Sequence, residues 1–132
     1  MEENTDYRLA PEVKAAWLEA LRSGKYVQGT GRLHKGDKYC CLGVLCDVMG
    51  AREQFPSPPA IGTHPSYFAY KGTVSCDVLP HALAKELGIT VGGTLNRPIE
   101  NGDLPPFKSL WELNDCAGYN FAQIAQVIEE QF

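Results

Sequence analysis

The amino-acid sequence predicts an α+β fold: a single compact domain with about five helices around a small antiparallel sheet. Three observations carry this. Segments of helical apolar periodicity recur from the first residues to the last. Short Gly-punctuated stretches with strand character lie between them. The strand–helix–strand alternation that a doubly wound parallel sheet requires is absent. A length of 132 residues suits one domain with a core of its own.

Residues 1–9 read as a flexible N-terminal arm, leaving 10–132 as the folded domain. The first helix should open at Pro11, because proline is tolerated where the first helical amide is unpaired anyway. Val13, Trp17, Ala20 and Leu21 then share a face, and Ser23-Gly24 supplies the stop. Residues 26–40 read as a hairpin with His34-Lys35-Gly36-Asp37 as its turn. Its second strand runs straight into helix two, residues 41–49, closed by Gly50. Leu42, Val44, Leu45, Val48 and Met49 cover most of that helix, so it should be central, packed by helices one, three and five.

Residues 51–66, with Pro56, Pro58, Pro59, Gly62 and Pro65, read as an extended loop. Tyr67 to Val74 is a short aromatic strand or hairpin around Lys71-Gly72. Helix three runs from near Pro80 to Gly88, with Leu79, Leu83 and Leu87 on one stripe. Residues 89–108 read as a Gly/Pro-rich stretch with a short strand at 94–99. Two capping boxes, Ser109-x-x-Glu112 and Asn120-x-x-Gln123, open helices four and five. In the last helix Phe121, Ile124, Ala125 and Ile128 form the apolar face.

The composition is that of a globular chain, 44% hydrophobic and 21% charged. The formal net charge of −4 disfavours duplex nucleic acid as a partner. No apolar run approaches the roughly 18 residues of a membrane span, and the acidic start does not resemble a secretory signal. A cytoplasmic protein with no membrane partner is expected. The five cysteines, Cys40, Cys41, Cys46, Cys76 and Cys116, are odd in number, and reduced thiols are the expectation.

Two segments carry a resemblance. One begins at Trp17 and runs through Gly24-Lys25-Tyr26 and a Gly-x-Gly-x-Leu stretch to Cys40-Cys41-Leu42-Gly43-Val44-Leu45-Cys46-Asp47. The other joins Leu113-Asn114-Asp115 and Gly118 to Phe121-x-x-Ile124-Ala125-x-x-Ile128-Glu129. Together they resemble a family of small proteins of tailed phages and bacterial prophage regions. The Cys-Cys-Leu-Gly-Val-Leu-Cys run is the more specific part, and the match covers roughly half of the chain, leaving out 51–108. The resemblance implies a phage or prophage origin and supplies no catalytic residues.

Several constellations could carry chemistry. Cys40 and Cys41 enter a helix N-terminus, where free amides favour a thiolate nucleophile and His34, His64 or His81 could supply a base. The competing reading is that of small core hydrophobes, which suits Cys46 best. Cys-Cys-x4-Cys is not zinc spacing, so no metal is expected. The last two helices imitate a helix-turn-helix, but Gln123, Gln126, Glu129 and Glu130 offer no cation to a phosphate backbone.

The most suggestive set is Tyr26, Gln28, Arg32, His34, Lys38 and Tyr39 on one hairpin, with Tyr67, Phe68 and Tyr70 on another. Aromatics can stack a planar base, Arg and Lys can meet phosphate, and Gly29 and Gly31 allow close approach to the backbone. Asn114, near the end of helix four, should cap it or bond a neighbouring loop, the alternative being a polar anchor in a ligand pocket.

With no catalytic motif and no cofactor expected, the leading reading is a phage-type binding protein that counters host defence. It would sequester a small nucleotide-derived immune signal, such as a cyclic ADP-ribose isomer or a cyclic dinucleotide, as a homo-oligomer. The alternatives are a Cys/His hydrolase of such a signal and a protein–protein inhibitor or adaptor.

Overall fold

A computed structural model of the chain describes residues 6–54 and 67–132. The described residues form five α-helices and eight strands. Helix α1 (Pro11–Arg22) is followed by β1 (Val27–Gln28), β2 (His34–Lys35), β3 (Lys38–Tyr39) and α2 (Cys41–Val48). Next come β4 (Arg52–Gln54), β5 (Tyr67–Tyr70), β6 (Thr73–Ser75) and α3 (His81–Leu87). The long strands β7 (Thr94–Asn101) and β8 (Leu104–Ser109) then lead into α4 (Leu110–Asp115) and α5 (Phe121–Gln131). The architecture is α+β, as the sequence predicts.

Helix α2 is the centre. Every residue from Cys41 to Cys46 is buried, because a helix apolar on all sides must be covered on all sides. Its main packing partners are α1, as expected, with α4 and β3 in place of the third and fifth helices. The indole of Trp17 on α1 is fully buried and donates to the Cys41 carbonyl oxygen at 3.0 Å, which fixes α1 on α2. Gly43 makes a second close approach possible. A Cβ there would lie 1.9 Å from the Leu33 carbonyl oxygen. Leu33, itself fully buried, thus brings the segment before β2 directly onto the helix backbone.

The strands form three small sheets instead of one: β1-β3-β2, β4-β5-β6 and β7-β8. In the first, β2 and β3 are antiparallel and β1 joins β3 in parallel. The hairpin turn is the two-residue loop Gly36-Asp37, so Lys35 and Lys38 are cross-strand partners and so are His34 and Tyr39. This corrects the expected turn, which had absorbed His34 and Lys35. Tyr67–Ser75 is a hairpin around Lys71-Gly72, as expected.

The stretch at 94–109 is a complete hairpin, not a lone strand. Pro98 and Pro105-Pro106 lack ladder donors, which agrees with the register shifts along it. Of the arm expected over residues 1–9, the described residues are tied to the domain. Tyr7 donates its amide to Asn96 at 2.6 Å, Leu9 is buried, and the Leu9 amide reaches Phe132 at 3.3 Å. Of the loop expected over 51–66, Arg52–Gln54 instead form β4 by pairing with β5, and 55–66, including His64, lie outside the described residues.

Candidate functional site

The β1–β3–β2 sheet and the loop 29–32 build one cleft of about 340 Å³, lined by Gln28, Gly29, Thr30, Arg32, Lys35 and Lys38. Its floor follows from local rules. Leu33 points into the core, so its neighbour Arg32 faces solvent. Lys35 and Lys38 flank the two-residue turn as a cross-strand pair, and both border the cleft. Gly29 lets β1 lie against β3, since a Cβ on it would meet the Lys38 Cβ at 2.6 Å.

Asn114, at the end of α4, holds the rim of this cleft from behind. It is buried at 2% exposure, and its hydrogen bonds are all made within the protein. Its Oδ1 accepts from Gln28 Nε2 at 2.9 Å and from the Cys41 amide at 3.2 Å. Its Nδ2 donates to the Gly29 carbonyl at 2.8 Å and to Asp115 Oδ1 at 2.8 Å. Asp115 Oδ2 in turn accepts from the Gly31 amide at 3.0 Å. Gln28 Nε2 also donates to the Tyr119 carbonyl, which leaves its Oε1 as the acceptor available on that side chain. Asn114 therefore orders the loop; it is not itself among the lining residues.

Three cations meet at this cleft. The ion pairs among the described residues are Arg22–Glu129, His34–Glu53 and Lys71–Glu86. None involves Arg32, Lys35 or Lys38. Arg32 makes only a hydrogen bond to the adjacent Gly31 carbonyl, at 3.1 Å. In a chain of net charge −4, three uncompensated cations around one hollow are a departure from the mean.

The aromatic half of the sequence-derived set goes elsewhere. Tyr39 stacks on His34, with centroids 3.9 Å apart and planes within 10°. Tyr26 packs edge-on against Tyr39 at 5.0 Å and donates its hydroxyl to Asp47. His34 Nδ1 pairs with Glu53. Burial and the Asp47 contact push the Tyr26 phenol up to about 12. Burial, then Glu53 and Asp47, raise Tyr39 as well. Tyr70 donates to Glu86, which also holds Lys71 at 2.6 Å. Tyr67 borders a separate groove with Gln54, Val74, Ser75 and Cys76. The structure thus unites Gln28, Arg32 and Lys38, with Asn114 behind them. It places Tyr26, His34, Tyr39, Tyr67 and Tyr70 outside the lining.

Lys35 and Thr30 are the residues that sequence reading passed over. A signal for Lys35 exists: a two-residue Gly-Asp loop sets the flanking lysines opposite one another.

A family model matches residues 9–132, and its description is a domain of unknown function, DUF8296. The chain belongs to the DUF8296 family. No curated protein and no solved structure matches the chain. Within this DUF8296 domain the thiol chemistry suggested by helix entry is overturned. Cys40 accepts from the Gly43 amide at 3.4 Å, as a cap does, yet burial pushes its thiol up to about 11. Burial also raises Cys41 and Cys46. Desolvation outweighs the helix amides, and these three cysteines are core packing. Among the described residues no His/Cys/Asp/Glu group could hold a metal ion. No described helix is long and apolar enough to cross a membrane.

Proposed function

We propose that the chain is a binding protein for a small phosphate-bearing ligand of nucleotide-derived type, held at the Arg32 cleft. The observation that supports this reading is the convergence of Arg32, Lys35 and Lys38, without ion-pair partners among the described residues, on a hollow of about 340 Å³. A guanidinium presents a planar fork that matches two phosphate oxygens, and lysines add point charge. The Thr30 hydroxyl can donate to an ester oxygen, and Gln28 Oε1 can accept from a sugar hydroxyl.

Binding without turnover is preferred because Cys40, Cys41 and Cys46 are buried and protonated, and His34 is engaged with Glu53 and Tyr39. The wider role, sequestration of a nucleotide-derived immune signal by a phage-type homo-oligomer in the host cytoplasm, rests on the phage-family resemblance.

Native mass spectrometry with cyclic ADP-ribose and a cyclic dinucleotide tests the reading and reports the subunit count. A stoichiometric adduct at intact ligand mass is expected for at least one. A converted ligand would replace the binder with an enzyme. Arg32→Glu should remove the adduct, since a charge-assisted bond is worth about 1.5–3 kcal/mol. Its melting temperature should stay within about 2 °C, as exposed substitutions cost little.

A further inference from the structure

We infer that the Arg32 cleft takes a diphosphate, two phosphoryl groups sharing a bridging oxygen, and is indifferent to the base attached. This rests on the phosphate-binding reading above and narrows its ligand.

The first ground is the cross-strand pairing of Lys35 with Lys38. Residues directly opposite in an antiparallel pair have Cα atoms about 4.5–5.5 Å apart. Like charges so placed are destabilising. The Lys35–Lys38 pair nevertheless sits at the mouth of a hollow that a third cation, Arg32, also borders. Two adjacent ammonium groups and one guanidinium suit adjacent anionic groups. A phosphate monoester carries about −1.5 to −2 charge at pH 7, which leaves part of three cations uncompensated. A second phosphoryl group on the same bridge supplies the remainder.

The second ground is what the lining lacks. Gln28, Gly29, Thr30, Arg32, Lys35 and Lys38 include no aromatic ring and no large apolar side chain. Base recognition draws on aromatic platforms or on several hydrogen bonds to the base edge. The nearby rings are occupied: Tyr39 is stacked by His34, and Tyr26 is bonded to Asp47. Both Nε2 hydrogens of Gln28 are likewise spent, on Asn114 and Tyr119. Asp115, whose carboxylate is bonded to this loop, accepts from Asn114 and Gly31. A cyclic dinucleotide, whose two phosphodiesters stand on opposite sides of a ring with one charge each, fits this arrangement less well than a pyrophosphate group.

Isothermal titration of the full chain in low-salt buffer decides it, with ADP, GDP, CDP, UDP, inorganic pyrophosphate, AMP and cyclic di-GMP as probes. The four nucleoside diphosphates should agree within about threefold, and AMP should bind at least about tenfold more weakly. Pyrophosphate should displace ADP. Lys35→Gln should weaken ADP by about tenfold and AMP by less than about threefold. Its melting temperature should not fall, because the like-charge pair is relieved. One base preferred by more than about tenfold, or cyclic di-GMP bound more tightly than pyrophosphate, would overturn the diphosphate assignment and leave phosphate binding standing. Silence towards all seven probes would overturn the phosphate reading and this inference together.

Discussion

Gly43 and Asn114 are the residues on which the cleft depends most, and neither lines it. A methyl group at Gly43 would sit 1.9 Å from the Leu33 carbonyl oxygen and 2.6 Å from its carbon. Both are backbone atoms, so no side chain can swing aside. Gly43→Ala should cost about 4 kcal/mol or more in urea unfolding, in the range that marks a backbone clash in a core. Asn114→Ala would strand the Cys41 amide and the Gly29 carbonyl together. Each buried group left unpaired costs about 1–3 kcal/mol, so a total loss of about 3 kcal/mol is expected in the same experiment. That Asn114 caps its helix or bonds a neighbouring loop was legible, but its distant partners were not. Gln28, Gly29 and Cys41 lie more than 70 positions earlier in the chain, and no local pattern announces them.

At the scale of elements, the caps were the clearest signals. Ser109 Oγ accepts from the Glu112 amide at 3.3 Å, and Asn120 Oδ1 accepts from the Gln123 amide at 2.8 Å. Gln123 closes its box by accepting from the Asn120 amide at 2.9 Å. Asn120→Ala should therefore lower stability by about 1 kcal/mol, read as a drop in melting temperature of about 3–4 °C. The strands were harder to read. Pro105-Pro106 argues against any strand in a sequence, yet β8 forms, because a two-stranded hairpin leaves outer edges where a missing donor is tolerated. The β2–β3 turn was misplaced by two residues for a related reason. His34 and Lys35 look like turn chemistry until β3 supplies the pairing that makes them a strand. That displacement hid Lys35 from the candidate site.

Across the whole molecule, the buried thiols give stability a definite pH dependence. Cys40 rises from 9.0 to about 11 on folding, and Cys41 and Cys46 also rise. A group whose folded pKa is raised holds its proton more tightly in the native state. Its contribution is complete below pH 9 and declines as pH climbs towards the folded value. Cys40 alone would account for a loss of about 2–3 kcal/mol between neutral pH and pH 11. Tyr26, raised to about 12, acts in the same direction. Urea titrations near pH 7 and near pH 10 should show the decline. Cys40→Ala should reduce the decline by the Cys40 share while lowering stability at neutral pH through the lost packing. A flat profile in the parent chain would contradict the burial of these thiols.

The sequence by itself determined the α+β class, the five helices with their caps, and most of the core. Those features are written in short periods, i to i+3 and i+4, that neighbouring residues impose on one another. It also singled out Gln28, Arg32 and Lys38, since a Gly-rich strand pair with exposed cations is a local pattern. Only the tertiary structure decided that Lys35 joins them and that the tyrosines do not. Tyr26 is taken by Asp47, 21 residues on, and His34 by Glu53, 19 residues on. Tyr39 is covered by His34 across the hairpin. Whether an aromatic face is open to a ligand depends on what distant chain folds over it, and that is settled by long-range packing, which local sequence does not encode.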